Sequence, residues 1–205
     1  MSELTQEEKI TVGSYDRAAD VWESNHSTPK FWGANFDKFH GLLPTGRILE
    51  IGCGAGRDAQ ELIKMGYDYF GTDISEGLLN LARKNNPGSN FLQLNAYDLD
   101  FTEPFDGFWC AAMLIHIPKA RVNEALQSIK RSMKPQAIGF IAVKEGDGEK
   151  MESRPDLHDG EFLYSYWHDE EYRRVLDQNG LEVVHHGYMP TSPRSKWLTY
   201  LLKVS

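Results

Sequence analysis

Arg47-Ile48-Leu49-Glu50-Ile51-Gly52-Cys53-Gly54-Ala55-Gly56-Arg57-Asp58 reads as an apolar strand, Ile48 to Ile51, running through a glycine-rich turn into a helix over 57–65. Glycines at 52, 54 and 56 permit backbone angles and close approaches that a Cβ would block. The following helix aims the free N–H groups of its first turn at whatever lies over the loop. This is the layout of a nucleotide-type ligand site at the C-terminal edge of a parallel strand. Such a site calls for a carboxylate at the end of the next strand, to hold ribose hydroxyls. Tyr67-Asp68-Tyr69-Phe70-Gly71-Thr72-Asp73 supplies it at Asp73, close to the spacing of about 20 residues expected.

The glycine spacing discriminates between ligands. A dinucleotide fingerprint is G-x-G-x-x-G, and its third glycine, counted from Gly52, would fall on Arg57. The chain instead has Glu50-x-Gly52-x-Gly54-x-Gly56. With Asp73 and the strand–helix frame, this pattern resembles the class I S-adenosylmethionine (SAM)-dependent methyltransferases, in particular small-molecule members with domains of type 11 and type 12. In that family the turn wraps the methionine part of SAM, and the acid after the second strand holds the ribose.

The resemblance extends from about Tyr15 to the C-terminus. Tyr-Asp-x-x-Ala-x-x-Trp at 15–22 is similar to the N-terminal helix of many members, where the tyrosine lies near the amino-acid moiety of SAM. Leu94-Asn95-Ala96-Tyr97-Asp98-Leu99 resembles the motif after the third strand, with Asn95 in place of the usual Asp. An amide oxygen can still accept from the adenine amino group. Phe105 to His116 resembles the fourth-strand motif, whose end borders the reacting methyl. The cofactor residues the resemblance implies are Tyr15, Glu50, Gly52, Cys53, Gly54, Gly56, Arg57, Asp73, Ile74, Asn95, Ala96 and Met113, with SAM as cofactor. Arg57 is read two ways, as a partner of the SAM carboxylate or as a solvated residue.

Composition narrows the class. A length of 205 residues suits a single α/β domain with a real core. A formal net charge of −8 and the lack of a Lys/Arg-rich block speak against a broad nucleic-acid footprint. The polar N-terminus and the absence of a long apolar run predict neither a signal peptide nor a membrane span, hence a cytoplasmic protein. Cys53 and Cys110 are expected to be buried small hydrophobes in a reducing compartment. No Cys/His spacing suggests zinc. The Glu145–Glu149 run lacks the ligand spacing of a calcium loop and reads as a mobile, solvated loop.

The order of elements predicts the fold. Residues 1–45 form a helical, aromatic cap in which Tyr15, Ala18, Ala19 and Trp22 share one helical face. Strands follow at 48–51, to Asp73, at 90–94, at 105–113 and at 138–143, with helices after the first two and after Pro118. A slightly different turn is expected at Met133-Lys134-Pro135-Gln136-Ala137, where the family has Leu-Lys-Pro-Gly-Gly. The polar run from Lys144 to Gly160 is too long for an ordinary connection, so 144–167 is read as an excursion from the core. A helix at 170–179 and two strands, 181–188 and 197–204, joined by a Pro-bearing loop, close the chain. The expected architecture is a Rossmann-like, seven-stranded, mostly parallel sheet with helices on both faces and a C-terminal antiparallel hairpin.

SAM already carries an activated methyl, so the protein must position an acceptor and manage its proton. His116 is the candidate base, at the mouth formed by residues 113–117, the N-terminal helix and the excursion; its ordinary pKa suits the task. The alternative is a His that hydrogen-bonds a backbone group at the strand end. Tyr164, Tyr166 and Trp167 either line the acceptor pocket or clamp the excursion. Met113-Leu114-Ile115-His116 lacks the Asn/Asp-Pro-Pro-aromatic tetrad of nucleobase amino-methyltransferases. A small-molecule acceptor is therefore expected. Two other readings stay open: a tRNA wobble-uridine side-chain methyltransferase, and a non-catalytic SAM-binding partner protein. The acceptor atom and the oligomeric state are not legible.

Overall fold

The computed structural model describes residues 2–26, 28, 31–192 and 195–205. Three helices come first: α1 (Gln6–Arg17), α2 (Ala19–His26) and α3 (Ala34–Leu42). The core then alternates β1 (Arg47–Ile51), α4 (Arg57–Lys64), β2 (Asp68–Asp73), α5 (Glu76–Asn85), β3 (Asn90–Gln93), β4 (Phe105–Ala111), α6 (Val122–Arg131) and β5 (Met133–Glu145). The remainder is β6 (Glu149–Arg154), β7 (Gly160–Trp167), α7 (Asp169–Gln178), β8 (Leu181–Ser192) and β9 (Ser195–Val204).

Strands β3-β2-β1-β4-β5 are parallel, and β9 runs antiparallel between β5 and β8. These seven strands are the expected sheet with its terminal hairpin. β1 and β4 read as continuous apolar runs because both sheet faces are covered: Ile48, Leu49, Phe108, Trp109 and Cys110 are all inaccessible to solvent. Cys53 and Cys110 are buried free thiols, as expected. Among the described residues, no helix is long and apolar enough to cross a membrane.

Four details differ from the sequence reading. The first concerns the cap, where the helix around Tyr15–Trp22 is broken at Ala18. The Asp16 carboxylate accepts from the Ser75 hydroxyl at 2.6 Å and from Gly77 N–H at 3.1 Å. These bonds pin the end of α1 to the start of α5, and α2 leaves in a new direction. The second is the excursion, which is an ordered antiparallel hairpin, β6–β7, and not a loop. Its β7 pairs in parallel with the end of β5 at Lys144 and Glu145, and its Leu163 N–H donates to the Thr11 hydroxyl of α1 at 2.8 Å. The mostly apolar, aromatic run Phe162-Leu163-Tyr164-Ser165-Tyr166-Trp167 is a short strand signal that the polar run before it obscured.

The third is Met133–Ala137, which lies inside a long β5 instead of forming a turn. Gln136 takes a positive φ of 69° there, and the register with β4 shifts between Phe105 and Gly107. The fourth is β4, which stops at Ala111. Ala112 has φ 62°, and Leu114–His116 forms a single tight turn. In the Pro-bearing loop between β8 and β9, residues 193–194 lie outside the described residues.

Candidate active site

The glycine turn is built by backbone geometry. Gly52, Gly54 and Gly56 have φ of 75°, 54° and 81°, the left-handed region that side chains disfavour. Gly52 N–H and Cys53 N–H both donate to the Thr72 carbonyl, at 2.7 and 2.9 Å, which fastens the turn to β2. A Cβ on Gly52 would fall 2.4 Å from the Met113 side chain. Gly56 caps α4, and a Cβ there would meet the Asn86 amide at 2.4 Å.

The turn opens on a cavity of about 520 Å³ at the C-terminal edge of the parallel strands. Of the residues expected from sequence, Tyr15, Glu50, Gly52, Cys53, Gly54, Arg57, Asp73, Ile74, Asn95, Ala96, Met113 and His116 all line it. Gly56 does not; it shapes the turn from behind.

Each polar wall residue has a definite state. Asp73 Oδ2 accepts from Gly54 N–H at 2.8 Å, and Oδ1 accepts from Ser75 N–H at 2.9 Å. Burial raises its pKa, and these donors oppose the rise. Glu50 is buried and accepts from the Tyr69 hydroxyl at 2.5 Å. Burial, then the Asp58 charge, push the Glu50 carboxyl well above the carboxylate range. Asn95 Oδ1 accepts from Tyr97 N–H at 3.1 Å, which leaves one lone pair of that oxygen for a ligand. Arg57 Nε donates to Asp58 Oδ1 at 2.7 Å, and its guanidinium lies 4.9 Å over the Phe31 ring.

His116 joins the cap to the hairpin. Its Nδ1 lies 2.6 Å from the Leu163 carbonyl, which can only accept, so Nδ1 carries the hydrogen. In the neutral ring Nε2 then accepts from the Tyr15 hydroxyl at 2.8 Å. Burial pushes the His116 pKa down to about 4, helped by the charges of Lys144 and Arg154. The backbone partner of the second reading is thus the Leu163 carbonyl, and His116 also lines the cavity.

Sequence reasoning missed much of the far end of the cavity. His26, which showed no legible partner, stacks on Trp22 with centroids 3.4 Å apart and lies 2.9 Å from the Trp22 carbonyl. Lys144, Arg154 and Trp197 also line this end. The hairpin that carries Arg154 became visible only once β6 and β7 were paired. Tyr164 is a cavity wall, whereas Trp167 is a buried core residue. Among the described residues, no group of His, Cys, Asp and Glu could hold a metal ion.

The walls fit SAM. Three left-handed glycines bring backbone close to a ligand, and at Gly54 an added Cβ would meet nothing nearer than Trp22 Nε1 at 3.6 Å. A half-buried carboxylate stands at the end of β2, and Ile74, Asn95 and Ala96 offer an apolar slot with polar edges beside it.

Comparison with known proteins agrees. Residues 48–136 match the family described as a methyltransferase domain. The chain is 31% identical over 110 residues to a ubiquinone biosynthesis O-methyltransferase of Paraburkholderia phymatum, covering 51% of this chain and 47% of that protein. It spans less than half the length of the first curated relatives it matches. Among solved structures, it is similar to the 1,6-didemethyltoxoflavin-N1-methyltransferase of Burkholderia thailandensis, crystallised with 1,6-didemethyltoxoflavin and S-adenosylhomocysteine (SAH). There the TM-score is 0.76 at 19% identity, covering 100% of this chain and 93% of that one. It is also similar to the magnesium protoporphyrin IX methyltransferase of Synechocystis with bound SAM, at TM-score 0.73 and 16% identity over 100% of both chains. Residues 48–136 thus match a methyltransferase domain, and the fold is the one shared with these SAM- and SAH-binding methyltransferases.

Proposed function

We propose that this protein transfers a methyl group from SAM to a small-molecule acceptor, oxygen and nitrogen being the candidate atoms. The observation that carries the reading is one continuous cavity that joins the glycine turn and Asp73 to an aromatic end walled by Tyr15, Trp22, His116 and Tyr164. When bound, SAM supplies an electrophilic methyl on its sulfonium. Gly52, Cys53 and Gly54 hold its amino-acid part, Asp73 its ribose, and Ile74, Asn95 and Ala96 its adenine. The acceptor takes the aromatic end, which covers it and keeps water out.

The α1–β7–His116 junction controls the proton. His116 is neutral at physiological pH, the form a base requires, but its Nε2 is occupied by Tyr15. A proton leaving the acceptor therefore reaches His116 through Tyr15: the phenol oxygen receives it while the phenol hydrogen passes to Nε2. Tyr15 is itself held protonated by burial, which raises its pKa well above the ordinary value.

A net charge of −8 weighs against a tRNA surface. The test is SAH release from isotopically labelled SAM with a panel of small acceptors, alongside total tRNA. Turnover on a small molecule that falls in Tyr15→Phe and His116→Ala supports the proposal. Turnover on tRNA alone, or SAH binding with no turnover on any acceptor, contradicts it.

A further inference from the structure

The cavity is polarised. Its carboxylates, Glu8, Glu23, Glu50, Asp58 and Asp73, all come from elements between α1 and β2. Each already accepts hydrogen bonds from the protein: Glu8 from Tyr97, Glu23 from Asn85, Glu50 from Tyr69, Asp58 from Trp109, and Asp73 from Gly54. The opposite end, built by β5 and the β6–β7 hairpin, contributes cations. They are Lys144 and Arg154, whereas the cavity's other cation, Arg57, sits at the carboxylate end paired with Asp58.

Lys144 is the unusual one. It is half-buried, at the end of β5, in register with Tyr166 on one side and Trp197 on the other. Its Nζ stands 3.9 Å from the centroid of the Tyr164 ring and 5.7 Å from that of Trp197. The nearby carboxylates are committed elsewhere. Glu152 takes the Tyr166 hydroxyl at 2.5 Å and the Lys150 ammonium at 3.0 Å. Glu145 pairs with Lys196 at 2.7 Å. Among the described residues, no carboxylate lies within ion-pair distance of Lys144, and no hydrogen-bond acceptor engages its Nζ. Burial depresses its pKa to about 8, and the Glu152 charge, acting through space without an ion pair, opposes the fall.

Arg154 stands beside it. Its guanidinium is neutralised by Asp156 through two hydrogen bonds of 2.8 and 2.6 Å, and it donates to the Tyr164 hydroxyl at 3.0 Å. Tyr164 is thus gripped on its ring face by Lys144 and at its hydroxyl by Arg154. The Tyr164 ring lies 5.2 Å from His116, whose ring lies 5.3 Å from Tyr15. A half-buried cation against two aromatic faces, its neighbouring carboxylates bonded to other groups, is complementary to a planar ligand bearing an acid.

We propose that the acceptor is a ring-bearing molecule with an anionic group, carboxylate or phosphonate-like, and that Lys144 is the receptor for that group. The assignment rests on reading this end of the cavity as the acceptor site.

The test uses the full chain saturated with SAH and calorimetry with three probes on one ring: 2-naphthoate, 2-naphthylphosphonate and neutral 2-naphthamide. The wild type should bind one or both acids about ten-fold or more tightly than the amide, the range of a charge-assisted hydrogen bond. The acid that binds more tightly identifies the anion. Lys144→Met should abolish the preference and leave the Kd for SAH within about two-fold, well under 1 kcal/mol. Lys144→Arg should keep it. If Lys144→Met does not fold, the wild-type comparison and Lys144→Arg decide. Equal binding of acids and amide, no binding of either acid, or a preference that survives in Lys144→Met overturns the proposal. A folded Lys144→Met that loses SAH about ten-fold or more also overturns it, by placing Lys144 on the cofactor. That result leaves the methyltransferase reading intact, whereas failure of the wild type to bind SAH removes that reading itself.

Discussion

Asp73 and Gly54 are joined by a 2.8 Å hydrogen bond from the Gly54 N–H to the Asp73 Oδ2. The carboxylate expected to hold a ribose is thereby also the clamp on the glycine turn. Its other oxygen takes the Ser75 N–H, so two backbone donors face one side chain. Asp73→Asn has a single acceptor oxygen and must set its amide NH₂ against one of those donors. Both Asp73→Asn and Asp73→Ala should therefore lose about 1–3 kcal/mol of stability, the cost of an unsatisfied buried donor. Urea denaturation of the ligand-free protein measures it. An Asp73→Asn as stable as the wild type would show that the clamp does not hold in solution.

Gly52 makes a second, sharper demand. Its φ is 75°, and a Cβ would sit 2.4 Å from Met113. Gly52→Ala should cost about 1–3 kcal/mol from backbone strain alone and weaken SAH binding further by displacing Met113. Adding Met113→Gly, which removes both the Cβ and the Cγ that lie 2.4 Å away, should recover only the steric part. A double variant with full wild-type stability and affinity would mean that the left-handed turn is not required.

Why these residues were legible in the sequence and others were not follows from their physics. Gly52, Gly54 and Asp73 act through backbone conformation and strand-end position, which a local spacing encodes. The fourth strand, the α5 cap at Ser75 and the terminal hairpin have the same local character. Lys144 and Arg154 acquire their roles from pairing across the chain. Lys144 meets Tyr164 only because β7 adds to β5, and Arg154 reaches the cavity only because β6 folds back on β7. The polar run through β6 gave no sign of that strand and obscured the aromatic run of β7 after it. The break at Ala18 was hidden for a similar reason, since the contact beside it joins Asp16 to Ser75, 59 residues further on.

His116 sets a pH dependence with a definite sign. Its ordinary value is 6.5 and its folded value about 4, lowered mainly by burial. A group depressed by folding contributes stability that is full above pH 6.5 and is lost as pH falls toward 4. The loss is at most about 3 kcal/mol. His116→Asn should flatten this stretch of the stability curve. A direct check is the His116 ring titration by NMR, with Nδ1 protonated throughout the neutral range. A midpoint near 6.5, the ordinary value, would remove the burial argument.

The hairpin meets α1 through a buried hydrogen bond, Leu163 N–H to the Thr11 hydroxyl at 2.8 Å, beside the edge-on contact of the Tyr15 and Phe162 rings. Thr11→Val keeps the shape and leaves that N–H unsatisfied. A loss of about 1–3 kcal/mol is expected by thermal or urea unfolding. Affinity for SAH should stay near the wild-type value, because neither residue touches the glycine turn. A large fall in SAH affinity in a folded Thr11→Val would show that the hairpin also shapes the cofactor end.

The glycine spacing, with Arg57 where a dinucleotide turn needs glycine, is the point on which everything else rests. Titration calorimetry of the intact chain with SAH and, in parallel, with NAD tests it most directly. SAH should bind at one site, and at a hundred-fold excess over its Kd should raise stability by about 2.7 kcal/mol, while NAD gives no heat. Binding of NAD without binding of SAH would contradict the reading of the turn, the cavity and the activity together.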